Sequence, residues 1–235
     1  AASDNPAAQL GAVLGGLAAA GCDKLTVLAS PALESFGTWA EQAVSESTGK
    51  MGHGMTPIVG EPLRPPASYG ADRVFMELQL ASQMDRVVEQ QARALADAGR
   101  PVVRIIWDDP YDLGGEVAKW SLATAIVGHL MEINPFDEPN VQSAKDRTKA
   151  LLKEYVSLGG LKEEPALFSD PRVAVYGSDS AKPESLAQCL GEFLQRARPS
   201  EYVALLSFLP RTPTLDLALK ALRARIAERT GHVTI

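Results

Sequence analysis

The sequence predicts an α/β protein, a three-layer α/β/α sandwich built on a mostly parallel sheet. Two patterns carry the expectation. Short runs rich in Val, Ile, Leu and aromatic residues recur along the 235 residues, and stretches with helical apolar spacing separate most of them. Strand followed by helix, repeated, needs crossover connections, and these favour parallel pairing with helices on both faces. With 46% apolar residues the chain has material for a proper core.

Taken in order, the strand-like runs fall at residues 25–29 (LTVLA), 56–59, 74–80, 102–107, 173–176, 202–209 and 232–235. The runs at 25–29, 74–80 and 102–107 are expected at the centre of the sheet. Helices are expected near 6–20, 31–47, 82–98, 115–132, 138–157, 184–197 and 213–229. Ser30-Pro31 and Thr212-Pro213 pair a capping hydroxyl with proline at the first helical position, and Gly99 and Gly231 stand where helices should stop. Segment 115–132 is apolar on nearly every side and should be buried, with His129 in the core. Trp39, Trp107 and Trp120 also fall on apolar faces.

Residues 159–169 (GGLKEEPALFS) have the composition of a surface connection. They divide a main domain, 1–158, from a smaller β-α-β-α-β unit at 165–235. The final Val233-Thr234-Ile235 reads like the beginning of a strand, so this unit is expected to be cut short and the chain to come from a longer polypeptide.

Two segments serve neither packing nor turns alone. Residues 46–75 carry glycine at 49, 52, 54 and 60 and proline at 57, 62, 65 and 66. A long irregular connection in a compact domain is usually functional or disordered. Glu61 in it follows a strand, at the sheet edge where open parallel sheets bind ligands. Residues 134–145, NPFDEPNVQSAK, form a turn that feeds a helix which Asp137 could cap, with Lys145 about two turns in.

These segments resemble phosphoglucose isomerases, in the second of their two sugar-isomerase (SIS) subdomains. Phe136-Asp137-Glu138-Pro139-Asn140-Val141-Gln142-Ser143-Ala144-Lys145 follows the frame of the family's F-[DN]-Q-P-G-V-E-x-x-K, departing at Glu138 and Asn140. Glu46-Ser47-Thr48-Gly49-Lys50 is similar to its E-S-x-G-K, and Gly60-Glu61-Pro62 to the G-E-P that carries the catalytic glutamate. Tyr69 to Phe75, Asp109 to Glu116 and Leu209 to Pro213 look like the bacterial fusion of transaldolase with phosphoglucose isomerase.

The resemblance implies an SIS-type, flavodoxin-like fold and interconversion of glucose 6-phosphate and fructose 6-phosphate, without metal or cofactor. It makes Glu61 the base that moves a proton between neighbouring carbons through an enediol. Lys145 becomes the cation that assists ring opening and holds substrate. Where the family reads N-H-P or Q-H-P for a ring-opening histidine, this chain has Asp108-Asp109-Pro110. Asp109 takes that place at the substrate, or His53 in the glycine-rich loop substitutes, or activity is low.

The family's phosphate-binding Ser/Thr loop and its G-G-R arginine belong to the first SIS subdomain and do not occur here. The chain then carries part of an active site and should be inactive alone. The partners implied are a sugar phosphate, the complementary amino-terminal SIS half of the parent polypeptide, and a second copy in a homodimer. A non-catalytic sugar-phosphate-binding or assembly domain of the same fold is the alternative.

Other features carry little chemistry. Gly177-Ser178-Asp179-Ser180 follows a strand, but Asp179 would repel a phosphate. The glycines at 11, 15 and 16 lie within a helical pattern rather than after a strand, so they are no dinucleotide fingerprint. A net charge of −6 and the lack of any basic block argue against nucleic acid. Two distant cysteines suggest a reducing compartment, and no apolar run reaches the ~20 residues of a membrane span. A cytoplasmic protein with no membrane partner is the expectation.

Overall fold

A computed structural model describes residues 4–161, 164–177 and 183–235. Four strands, β1 (Lys24–Ala29), β2 (Thr56–Val59), β3 (Arg73–Leu80) and β4 (Val102–Trp107), form one sheet in the order β2-β1-β3-β4. Every pair is parallel, in a register that sets Lys24 opposite both Thr56 and Arg73, and Phe75 opposite Val102. The helices are α1 (Pro6–Ala19), α2 (Glu34–Thr48), α3 (Arg86–Asp97), α4 (Leu113–Leu130), α5 (Pro139–Leu158), α6 (Leu186–Leu194) and α7 (Pro213–Thr230).

The sheet is covered on both sides, which makes the three layers. Leu25, Val27, Val74, Met76, Leu78, Leu80, Ile105 and Trp107 point to the face packed by α1, α2 and α4. Leu28 and Phe75 point the other way, onto Tyr69 and the α3 residues Val88, Ala92 and Leu95. Strands β1 and β3 are central, as expected, but β4 is an edge strand. Its alternation explains the difference. Ile105 and Trp107 are buried, whereas Arg104 and Ile106 on the opposite face are exposed, so a run that reads as continuous is buried on one side only.

Tertiary packing also corrects the reading of α4. Trp120, Ala123, Thr124, Val127 and Gly128 are buried, but Leu122 and Leu130 are exposed and so is His129, in the last turn. Among the described helices α1 and α2 cover this one, and its apolar outer side stays in solvent. Trp107 and Trp120 lie in the core around Phe36, with ring centroids 4.8 and 6.1 Å from it, and Trp39 is partly buried beside them. The glycines of α1 have a packing role. A Cβ on Gly11 would stand 2.7 Å from Ile126 Cβ and 2.8 Å from Ala123 O, so glycine sets the close approach of α1 to α4.

Local caps follow the sequence in part. Asn5 and Asp85 cap α1 and α3 through their side chains, Thr212 accepts from Leu215 N at α7, and Gly99 and Gly231 take positive φ just past their helices. Ser30 makes no cap bond; a 3-10 turn at Pro31–Leu33 precedes α2 instead. Asp137 does not cap α5, whose N-cap is Glu138 with no side-chain bond. The expected strand at 202–209 shrinks to β7 (Tyr202–Val203), paired in parallel with β8 (Val233–Thr234). Beyond Val203, Leu206, Phe208 and Leu209 are exposed. A short antiparallel pair, β5 (Phe168–Ser169) and β6 (Ala174–Val175), precedes α6. Ser178, Asp179 and Ser180 lie outside the described residues. No described helix is long and apolar enough to cross a membrane.

Candidate active site

Strand β2 ends at Val59, Gly60 adopts φ 64°, and the proline-rich segment behind it turns back beneath the sheet. Three prolines at 62, 65 and 66 limit the backbone freedom of this return. It carries Glu61 from the carboxyl end of β2 to a guanidinium that starts at the amino end of β3. Arg73 Nη1 donates to Glu61 Oε2 at 2.8 Å and Nη2 to Oε1 at 3.0 Å, and Nη1 also donates to Thr26 Oγ1. Arg64 Nη2 adds a bond to Oε1 at 3.0 Å. The side chains of Glu61 and Arg73 are 3% and 1% exposed, so this is a buried, bidentate pair with a third member.

Tyr69 floors the cluster. Its ring lies beneath both guanidiniums, 4.8 Å from Arg64 Cζ and 5.3 Å from Arg73 Cζ, and its hydroxyl accepts from Arg64 N at 3.0 Å. Burial pushes the Tyr69 hydroxyl above the usual phenol range, with the Glu61 charge acting in the same direction and the arginines opposing it. A third guanidinium comes from α7. Arg223 donates to Val59 O at 3.1 Å and Thr234 O at 2.8 Å, and burial lowers its pKa against the pull of Glu61 and Glu41.

Chemically, a carboxylate has about four acceptor positions. Three on Glu61 are taken, two on Oε1 and one on Oε2, which leaves one lone pair of Oε2 to receive a proton. Arg64 and Arg73 also line a cleft of about 540 Å³ with Ser68, Thr230 and His232.

The second segment meets the first motif through Lys50. This lysine is 4% exposed, and its ammonium donates to Asn134 O at 2.6 Å and Asp137 O at 2.5 Å. It also pairs with Asp137 Oδ1 at 2.8 Å. Asn140 Nδ2 donates to Gly49 O at 3.0 Å, and a cleft of about 310 Å³ runs between the end of α2 and the start of α5.

The other named residues stand apart from Glu61. Lys145 is exposed on α5, a helix with no buried residue among its 20. His53 is exposed in the tight turn before β2, where Lys50 and His53 exchange backbone bonds of 2.9 Å around Met51 and Gly52, both at positive φ. Asp109 follows β4, at the far side of the sheet from β2. Its carboxylate accepts from Tyr111 N at 2.8 Å as half of a capping box with Asp112.

Sequence reasoning missed the arginines that hold Glu61 and a second ion pair, in which the buried Glu77 meets the exposed Arg104. Glu77 is fully buried and bonded by Arg104 and by Gln79 Nε2 at 2.7 Å. The signal was present in β3, where Arg73, Glu77 and Gln79 occupy one face and only apolar residues the other. No group of three His, Cys, Asp or Glu among the described residues is placed to hold a metal ion.

No family model matches the chain, and comparison with known proteins gives likenesses of sequence and of structure. A probable glucose-6-phosphate isomerase from Haloarcula marismortui is 27% identical over 192 residues, covering 64% of this chain and 42% of that protein. The matched part of the chain therefore spans about two fifths of that relative. A hypothetical protein from Thermus thermophilus shares the fold, with a TM-score of 0.50 at 19% identity over 62% of this chain and 45% of that one.

Proposed function

We propose that this chain is part of a glucose-6-phosphate isomerase, the carboxy-terminal SIS half, and that it contributes the proton-transferring base Glu61. The similarity to the probable isomerase of Haloarcula marismortui carries the proposal. The junction of the Glu46–Lys50 and Asn134–Lys145 segments through Lys50 supports it, because two stretches that resemble one family's motifs meet in space. In this reading the open lone pair of Glu61 Oε2 takes the proton from C2 of the opened aldose. The C2–H electron pair forms the C1=C2 bond and the carbonyl pair moves onto O1 to give an enediolate. The proton of the C2 hydroxyl passes to O1, and as the C2 carbonyl forms the same carboxylate returns its proton to C1. Arg73 and Arg64 hold the carboxylate in one orientation while it does so. Lys145 assists ring opening. His53 and Asp109 are the substrate-contacting candidates, and the complementary half supplies the phosphate site.

A second reading, a non-catalytic sugar-phosphate-binding or assembly domain, is favoured by one feature: Glu61 is buried and largely committed to arginine. A coupled isomerase assay on the complete protein separates the two. Glu61→Gln keeps the shape and removes the basicity, and should lower turnover by at least ~10²-fold, with exchange of the C2 hydrogen falling in step. Undiminished exchange in that variant places the base elsewhere. A complete protein that binds the sugar phosphate without isomerising it establishes the second reading.

A further inference from the structure

The Glu46–Lys50 motif has no part in the proton transfer, yet it contains the most completely satisfied ammonium described in the chain. Lysine is a strongly hydrated ion and is rarely buried unless paired. Lys50 is 4% exposed, and its ammonium donates to two carbonyls, Asn134 O and Asp137 O, and forms an ion pair with Asp137 Oδ1. Both carbonyls belong to one turn, 134–138, in which Asn134 Oδ1 accepts from Phe136 N at 3.0 Å and Pro135 packs against Gly128 of α4. That turn sets the start of α5. The helix has little else to fix it: its N-cap has no side-chain bond and none of its residues is buried. A single buried cation and the Asn140–Gly49 bond thus tie down a 20-residue helix that carries Lys145.

We infer that Lys50 is a positioning residue: by holding the 134–138 turn to the end of α2 it fixes the height and rotation of α5, and with them the placement of Lys145. Its catalytic consequence rests on the function proposed above; its structural consequence does not. The ammonium is suited to this task because its compact charge serves two carbonyls and a carboxylate at once. A planar guanidinium at position 50 presents its donors in one plane and does not reproduce that set.

The experiment uses the complete protein carrying Lys50→Met, which preserves bulk and removes the charge, and separately Asp137→Ala, which removes the carboxylate of the ion pair. Backbone hydrogen exchange is read at Gln142, whose amide bonds Glu138 O at 3.1 Å in the first turn of α5. Lys50→Met should speed this exchange by at least ~10-fold while β1 and β3 stay protected, and Asp137→Ala should do so by less. Isomerase turnover on the cyclic sugar and on an open-chain analogue is measured alongside, with Lys145→Ala and the double variant. If Lys50 acts through Lys145, Lys50→Met should selectively impair the cyclic substrate, and the double variant should be no worse than Lys145→Ala alone.

Unchanged exchange at Gln142 overturns the inference outright. Faster exchange with wild-type turnover, in a protein where Lys145→Ala is impaired, reduces Lys50 to a structural staple and overturns the positioning role. Should the complete protein lack isomerase activity, or Lys145→Ala leave it intact, the functional reading fails. The exchange result then still decides whether Lys50 holds α5. Global loss of protection in Lys50→Met passes the decision to Asp137→Ala, where unchanged exchange at Gln142 overturns the inference.

Discussion

Replacing Glu61 by Gln takes one negative charge from the middle of a guanidinium cluster. Arg73, 1% exposed, is then left with a neutral amide in place of its carboxylate. Breaking a buried ion pair from one side costs roughly 3–5 kcal/mol, because the remaining charge stays desolvated without compensation. Gln keeps one acceptor oxygen, so the low end applies, and about 3 kcal/mol is expected. Arg73→Met should cost somewhat less, since Arg64 still serves the carboxylate. With both changes neither Glu61 nor Arg73 is left as an unpaired ion and only the less buried Arg64 loses its partner, so Glu61→Gln with Arg73→Met should cost at least ~2 kcal/mol less than the sum of the singles. Urea denaturation of the 235-residue chain, followed by the fluorescence of buried Trp107 and Trp120, measures all three. Single variants each within about 1 kcal/mol of wild type, with additive effects, would refute a desolvated pair and place Glu61 in contact with water. The same cycle bears on chemistry, because a base held this firmly needs little reorganisation when substrate arrives.

Gly11→Ala gains about 1 kcal/mol in helix propensity but forces a methyl against Ile126 and the Ala123 carbonyl, and overpacking of that kind costs about 1–3 kcal/mol. A net loss of thermal stability is expected, and the open position Gly16→Ala should show none. Glu41 has its carboxyl pKa raised, chiefly by burial, with Arg223 opposing. A raised acid binds more protons folded than unfolded, so its contribution declines as pH rises through the folded pKa. Glu41→Gln should therefore be the more stable protein at neutral pH, with the difference gone below about pH 4. Denaturation midpoints across that range check it. Lys145→Ala should leave stability unchanged, since the side chain is exposed, and in the complete protein should impair reaction of the cyclic sugar more than of its open-chain analogue. Equal losses on both substrates would assign Lys145 to binding.

The sequence by itself determined the four strands of the sheet, the seven helices to within a few residues at most ends, and the irregular connection that carries Glu61. These are local properties: period-two and helical apolar spacing, glycine at positive φ, and proline where a helix begins. It also carried the motif resemblance that the similarity to a probable isomerase supports. Tertiary structure alone decided which residues meet. Glu61 lies 12 positions from Arg73 and Lys50 lies 84 from Asn134, and no local pattern encodes either meeting. Both arise from topology. The parallel register brings the start of β3 beside β1, so Arg73 can reach across Thr26 to the returning loop. The packing of α4 behind α2 delivers residue 134 to the end of α2. The same cause misplaced β4 and His129. Apolar character states that a face can be buried, but only the number of neighbouring elements decides whether it is, and among the described residues nothing covers Ile106 or the outer side of α4.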